Sequence, residues 1–150
     1  MADLFGEPDL PAALISRCLL GVPCRYHGRK VTRYGMPIGR KKLVEQLRKR
    51  YRLIAVCPEV DGGLAVPRPP TRIIEGRWMC GGEDVTKAFR KGSEYALLLA
   101  QKAGAKRAYL LAGSPACDRE YGMCGRLLQE KGVRVYSVGG KTAPTSALVR

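Results

Sequence analysis

Three of the six cysteines in this 150-residue chain come at or just after apolar segments that are typical of buried β-strands. Cys18 and Cys57 end the segments ALISRC and RLIAVC, and Cys117 lies four residues beyond the segment RAYLLAG. Thiolates are soft ligands that bind zinc or iron–sulfur clusters, and pairs of thiols also form redox centres. The pattern therefore predicts a site built from sulfur donors.

Helical patterns separate the apolar segments. GRKKLVEQLRKRY carries Leu43 and Leu47 at helical spacing, and EDVTKAFRKGSEYALLLAQKAGA is the longest helical pattern. Strands that alternate with helices predict an α/β layered domain with a mostly parallel sheet flanked by helices. Ligands bind at the carboxyl ends of such strands, so we expect the three cysteines to meet at that edge.

The cysteine spacing gives only a weak signal for a structural zinc site, because such sites usually draw on close cysteine pairs. The nearest pair here, Cys18 and Cys24, has five residues between its members. Three ligands on separate strand ends leave one coordination position of a metal ion open, as a catalytic metal requires. A [4Fe–4S] cubane held by three cysteines likewise keeps one iron free to bind a substrate atom. Buried cysteines that act only as small hydrophobic residues are the alternative.

Basic residues greatly outnumber acidic ones. The chain has 27 Lys and Arg against 13 Asp and Glu, a formal net charge of +14. Eleven bases between residues 25 and 52 are opposed only by Glu45: Arg25, Arg29, Lys30, Arg33, Arg40, Lys41, Lys42, Arg48, Lys49, Arg50 and Arg52. This basic stripe attracts polyanions or phosphate esters, unless it is only a solvated helix face.

Length and composition indicate one domain, residues 1–150, with loose termini at 1–12 and 139–150. A chain of this size buries roughly 70% of its unfolded surface and needs no disulfide to hold a core. It opens without a secretory apolar segment and has no apolar run near the ~18–20 residues that span a bilayer. We therefore expect a cytoplasmic protein that does not contact membranes, in which reduced thiols favour metal binding or catalysis over disulfides.

Four ordered motifs, SRCLLGVPCRYHGRK, CPEVDGGLAVPRPP, GEDVTKAF and GSPACD, resemble those of the thiouracil desulfurases, a group long catalogued as a domain of unknown function. The resemblance covers about residues 14–138. It implies a Rossmann-like α/β domain that holds an oxygen-sensitive [4Fe–4S] cluster on three cysteines. The implied reaction removes sulfur from a thiouracil-type base and yields the oxo base and sulfide without net redox change.

The resemblance makes Cys18, Cys57 and Cys117 the expected cluster ligands. Cys24 stands at a position that is often valine and is left outside this ligand set. Cys80 and Cys124 also fall outside this ligand set. We expect them to be two surface or half-buried thiols; alternatively, they form a disulfide.

Two further motif residues are candidate catalytic groups. Glu59 matches the family's acid and would act as a base on water, and Ser114 matches its serine and would orient the water or the substrate. Alternatively, Glu59 caps the loop or pairs with Arg68, and Ser114 makes a turn before Pro115. The expected substrate-binding residues are Arg25, Tyr26 and Arg68.

Several positions depart from the family's pattern. His27 stands where an acid is usual and is either a metal ligand or a solvent-facing residue. Thr71 and Arg72 replace an acidic position, and Asp118 replaces a glycine. We expect these changes to make the pocket more cationic, which favours a thiouridine nucleotide or a thiolated tRNA over the free base.

Two hypotheses from different functional classes follow. The first is an iron–sulfur enzyme that desulfurates a thiolated uracil as base, nucleotide or tRNA. The second is a basic RNA-binding module with a structural zinc site. Few aromatic residues accompany the basic stripe beyond Tyr26, Tyr34 and Tyr51, which counts against base stacking and against the second hypothesis.

Overall fold

The structure, a computed structural model, describes residues 10–22, 24–26, 28 and 40–139. In chain order its elements are β1 (Ala12–Ser16), a 3-10 turn (Arg17–Leu20), α1 (Arg40–Arg50), β2 (Arg52–Val56), α2 (Pro58–Asp61), β3 (Thr71–Ile74), β4 (Arg77–Cys80), β5 (Glu83–Asp84), α3 (Thr86–Ala103), β6 (Arg107–Leu111), α4 (Met123–Glu130) and β7 (Arg134–Val138). None of the helices in these residues is long and apolar enough to cross a membrane.

The main sheet contains four parallel strands in the order β2-β1-β6-β7. β1 is an inner strand: it pairs with β2 from Ala12 opposite Arg52 to Ser16 opposite Val56, and with β6 on its other side. All five β1 residues are buried, which explains why the segment reads as a continuous apolar run. The α/β class and the parallel sheet flanked by helices are confirmed.

The strand order produces a crevice at one place on the sheet edge. The chain passes from β1 outward to β2, then crosses back over β1 to reach β6 and β7. The connections that follow β1 and β6 therefore leave in opposite directions. Crevices of this kind, outside the carboxyl ends of the strands, are where open α/β sheets bind ligands.

Amphipathic helices cover the sheet. In α1, Leu43, Val44 and Leu47 are buried, while the following basic residues are exposed: Lys41, Lys42, Arg48, Lys49 and Arg50. In α3, Phe89 and Ala96 are fully or almost fully buried. The core therefore lies between the sheet and these apolar helix faces.

A small antiparallel sheet, β3-β4-β5, interrupts the alternation of strands and helices. Its first turn places Glu75 and Gly76 at φ values of 49° and 75°, as a two-residue hairpin turn requires. The sequence of this segment, TRIIEGRWMCGGEDVT, predicts a short hairpin or an irregular excursion, and the structure shows the hairpin. Trp78 anchors the sheet, because its indole N–H donates to the Pro115 carbonyl at 2.8 Å.

Two predicted boundaries differ from the structure. β1 ends at Ser16 rather than near Cys18, because residues 17–20 turn into the 3-10 conformation and Gly21 closes that turn at φ 90°. Ala12, assigned from sequence to a loose N-terminal segment, begins β1. Residues 1–9 and 140–150 lie outside the described residues, and the single domain stays a prediction.

Candidate active site

A cavity of about 270 Å³ lies at the carboxyl ends of β1, β2 and β6. Cys18, Cys57 and Cys117, the three cysteines that the sequence predicted to meet, all line it, and so does Cys24. Each of the four is at least nine-tenths buried. The other lining residues with polar side chains are Ser16, Arg17, Arg25, Tyr26, Glu59, Thr71 and Ser114.

Cys117 is held at both its backbone and its sulfur. Ser114 Oγ accepts hydrogen bonds from the backbone N–H groups of Ala116 and Cys117, each at 3.1 Å. Ser16 Oγ donates to Cys117 Sγ at 3.3 Å and accepts from the Leu111 N–H at 2.9 Å. Burial raises the pKa of the Cys117 thiol, and the Ser16 hydrogen bond opposes that rise.

The sequence reasoning did not identify Ser16 as a site residue. Its signal was available, since Ser16 is the one polar residue at the end of an otherwise apolar strand. The predicted turn at Ser114 is present, so this side chain supports the Cys117 loop as well as lining the cavity.

Cys57 lies between the end of β2 and the start of α2. Its N–H donates to Asp61 Oδ2 at 3.1 Å, and Asp61 also accepts two hydrogen bonds from Arg17, at 2.9 and 3.0 Å. Arg17 and Asp61 therefore connect the segment after β1 to the segment after β2. Neither residue was singled out from the sequence, because their contact spans 44 positions.

The Cys24 side chain contacts two of the predicted ligands. Its hydrogen bond to Cys18 raises the pKa of the Cys24 thiol to about 11, with burial adding to the rise and Cys57 opposing it. The same contact with Cys24, followed by burial, raises the pKa of Cys57. The Cys57 thiol also donates to the Cys24 carbonyl at 3.8 Å.

Glu59 lines the cavity and forms an ion pair with Arg68. Arg68 Nη2 and Nε donate to the same carboxylate oxygen, Oε1, at 2.8 and 3.2 Å. The Arg68 side chain is only 5% exposed, and its other hydrogen bonds go to the carbonyls of Ala65 and Cys24 at 2.9 and 3.3 Å. The structure therefore confirms that Glu59 pairs with Arg68, as the alternative interpretation of Glu59 predicted.

The expected substrate-binding residues fall into two groups. Arg25 and Tyr26 line the cavity, with the Arg25 guanidinium carbon 5.9 Å from the centre of the Tyr26 ring. Arg68 does not line it and lies behind Glu59. Contact of any of the three with substrate stays a prediction.

A family model described as 2-thiouracil desulfurase matches residues 13–138. The chain belongs to this family. The membership confirms the resemblance found in the four motifs, and it makes the protein a member of an enzyme family that cleaves a carbon–sulfur bond.

Two similar proteins extend the comparison. The [4Fe-4S]-dependent thiouracil desulfidase TudS has a solved structure that matches with a TM-score of 0.71 and 33% identity, covering 85% of this chain and 90% of TudS. The uncharacterized protein YbbK of Bacillus subtilis (strain 168) is 29% identical over 149 residues, which cover 83% of this chain and 93% of YbbK.

The residues that depart from the family's pattern lie in different parts of the structure. Thr71 lines the cavity, and its buried hydroxyl has no hydrogen-bond partner among the described residues. Asp118 does not line the cavity: its carboxylate accepts from the N–H groups of Gly113, Glu120 and Tyr121 and fixes the loop around Cys117. His27 lies outside the described residues.

The two remaining cysteines do not line the cavity and do not form a disulfide. Cys80 is half-buried and donates to the Pro69 carbonyl at 3.2 Å. Cys124 is completely buried in α4, and this burial raises its pKa to about 12. In the part of the chain that the structure describes, no three Cys, His, Asp or Glu side chains are placed to hold a single metal ion.

Proposed function

We propose that the protein removes sulfur from a thiolated uracil by means of a [4Fe–4S] cluster held on Cys18, Cys57 and Cys117. One observation carries this proposal: three thiols that are distant in sequence line one cavity at the carboxyl ends of β1, β2 and β6. Membership of the 2-thiouracil desulfurase family and the similarity to TudS support it.

The donor set fits an iron–sulfur cluster in its chemistry. Iron–sulfur clusters are held by cysteine thiolates, and soft sulfur ligands favour iron in this form. The cavity is lined by four cysteines, and its volume of about 270 Å³ is close to the roughly 300 Å³ at which small-ligand pockets begin. When bound, such a cluster supplies an iron that binds sulfur and withdraws electron density from the attached carbon.

The reaction exchanges a thiocarbonyl for a carbonyl without a redox step. Water adds its oxygen to the ring carbon, the carbon–sulfur bond breaks, and sulfur leaves as hydrosulfide with one proton released. The chain must therefore orient a water, remove its proton and exclude competing solvent.

Glu59 is the proposed base. Its carboxylate lines the cavity, and the two hydrogen bonds from Arg68 to Oε1 hold it in one orientation. We assign Arg68 the role of positioning Glu59. The carboxylate would take a proton from water and return it to the ring nitrogen, replacing the nitrogen's own proton, which is the one released overall.

Ser114 is the proposed hydrogen-bond donor to the water or the substrate. A serine hydroxyl carries one proton and two acceptor lone pairs, and the N–H groups of Ala116 and Cys117 occupy the acceptor side. The hydroxyl proton is therefore available to donate to the water or to a substrate atom in the cavity. This role is compatible with the support that the same oxygen gives to the Cys117 loop.

Positive charge near the cavity supports a phosphorylated substrate. Arg25 lines the cavity and lies over the Tyr26 ring, whereas the charge of Arg17, which also lines it, is paired with Asp61. The exposed basic side chains of α1 belong to the stripe that would contact the phosphates of a tRNA: Lys41, Lys42, Arg48, Lys49 and Arg50. We propose a thiouridine nucleotide or a thiolated tRNA, handled in the cytoplasm, as the substrate.

The test is anaerobic reconstitution followed by sulfide release from 2-thiouracil, 4-thiouridine monophosphate and thiolated tRNA, measured side by side. We expect a brown protein that releases sulfide, faster from a phosphorylated substrate than from the base. Cys57→Ala is expected to lose the cluster, whereas Cys124→Ala, which removes a buried thiol outside the cavity, should keep it. A colourless protein with stoichiometric zinc would instead support the RNA-binding alternative.

A further inference from the structure

A fourth thiol shares the cavity with the three proposed cluster ligands. Cys24 is 5% exposed and lines the same cavity as Cys18, Cys57 and Cys117. The Cys57 thiol donates to the Cys24 carbonyl at 3.8 Å, so the two residues are in contact. This sulfur therefore belongs to a residue that lines the cavity proposed to hold the cluster.

Backbone contacts hold Cys24 at this position. Its N–H donates to the Val22 carbonyl at 2.8 Å. Its carbonyl accepts from Arg68 Nη2 at 3.3 Å and from the Cys57 thiol at 3.8 Å. Since Arg68 also pairs with Glu59, the position of Cys24 depends on the same ion pair that orients the proposed base.

We propose that Cys24 is a fourth sulfur ligand of the cluster, bound to the iron that the other three cysteines leave open when no substrate is present. This inference rests on the proposed function. Thiolate is a strong ligand for iron, and Cys24, which is only 5% exposed, lines the same cavity as the three proposed ligands.

The location of Cys24 also explains why its sulfur, rather than that of another ligand, would be exchanged for the substrate's. Cys57 follows β2 directly, and the Cys117 sulfur is held by Ser16. Cys24 lies in a loop beyond the 3-10 turn, so its side chain can withdraw without changing the sheet. In the resting enzyme each of the four irons then has a cysteine ligand, and the substrate competes with Cys24 for one of them.

Mild oxidation tests the ligand count directly. Ferricyanide takes one electron from a [4Fe–4S]²⁺ cluster, and the oxidised cluster releases an iron that lacks a cysteine ligand as Fe²⁺, leaving [3Fe–4S]⁺. The reconstituted wild-type chain, Cys24→Val and Cys124→Val are treated anaerobically without substrate, and the [3Fe–4S] signal is measured by electron paramagnetic resonance. Cys124→Val is the matched control because its thiol is also buried but does not line the cavity.

We expect Cys24→Val to convert a severalfold larger share of its cluster than the wild type and Cys124→Val. Iron and sulfide analysis is the second measurement, and lower loading in Cys24→Val than in Cys124→Val also supports ligation. Equal conversion and equal loading in all three proteins overturn this inference but leave the proposed function intact. Absence of any cluster from the wild type overturns both.

Discussion

Replacing Gly92 by alanine tests how closely α2 must pack against α3. A Cβ atom at residue 92 would lie 1.7 Å from the Pro58 carbonyl oxygen and 2.5 Å from its carbon. Ordinary contacts begin near 3.5 Å, so the two helices must move apart by roughly 2 Å. The obstructing atoms belong to the backbone and cannot rotate away.

The expected change in stability follows from two opposing effects. Alanine in place of glycine stabilises an exposed helix position by about 1 kcal/mol. Overpacking a core costs about 1–3 kcal/mol, and a clash with backbone atoms belongs at the upper end of that range. We therefore expect the free energy of unfolding to fall by about 2 kcal/mol, which lowers the Tm of a domain this size by roughly 4–8 °C.

The same displacement should affect the site, because Pro58 lies between Cys57 and Glu59. Thermal unfolding followed by circular dichroism gives the Tm, and iron content and sulfide release are measured well below it. Lys91→Ala, at the exposed neighbouring position, is the control and should match the wild type. A Gly92→Ala protein as stable as the wild type, with full iron content, would show that this close approach is not required.

Three other changes test separate parts of the structure. Glu59→Gln should retain iron but release sulfide about 10²–10⁴-fold more slowly than the wild type. The exposed control Glu94→Gln should release sulfide at the wild-type rate, and full activity of Glu59→Gln would refute the base assignment. Ser16→Ala leaves the buried Leu111 N–H unpaired, so chemical denaturation should show a loss of about 1–3 kcal/mol. It also removes the hydrogen bond to Cys117, so the cluster's reduction potential should become more negative, and an unchanged potential would contradict that role. Hydrogen bonds from Thr86, then Arg77, lower the pKa of Asp84 from 3.8 to about 2, so its contribution to stability is present above pH 4 and lost as pH falls through 2. Asp84→Asn should therefore reduce the decline in Tm between about pH 4 and pH 2, and parallel declines in both proteins would rule this out.

The local pattern of the sequence was sufficient to predict the main sheet and the positions of the site cysteines. Continuous apolar runs mark parallel strands that are buried on both faces, and helical spacing at Leu43 and Leu47 marks the covering helix. Because parallel strands end at a common edge, three cysteines near their carboxyl ends were expected to meet, and Cys18, Cys57 and Cys117 all line one cavity. These inferences need only the periodicity of each segment and the direction of the strands.

The contacts that define the site depended on tertiary structure. Ser16 meets Cys117 across 101 positions because β1 and β6 are neighbours in the sheet, and nothing in either segment alone specifies that pairing. The sequence allowed Glu59 to cap the loop or to pair with Arg68, and the fold of the intervening loop selected the ion pair. Local patterns determine which residues form strands and helices, whereas contacts between distant side chains depend on the order of the strands and the packing of helices against them.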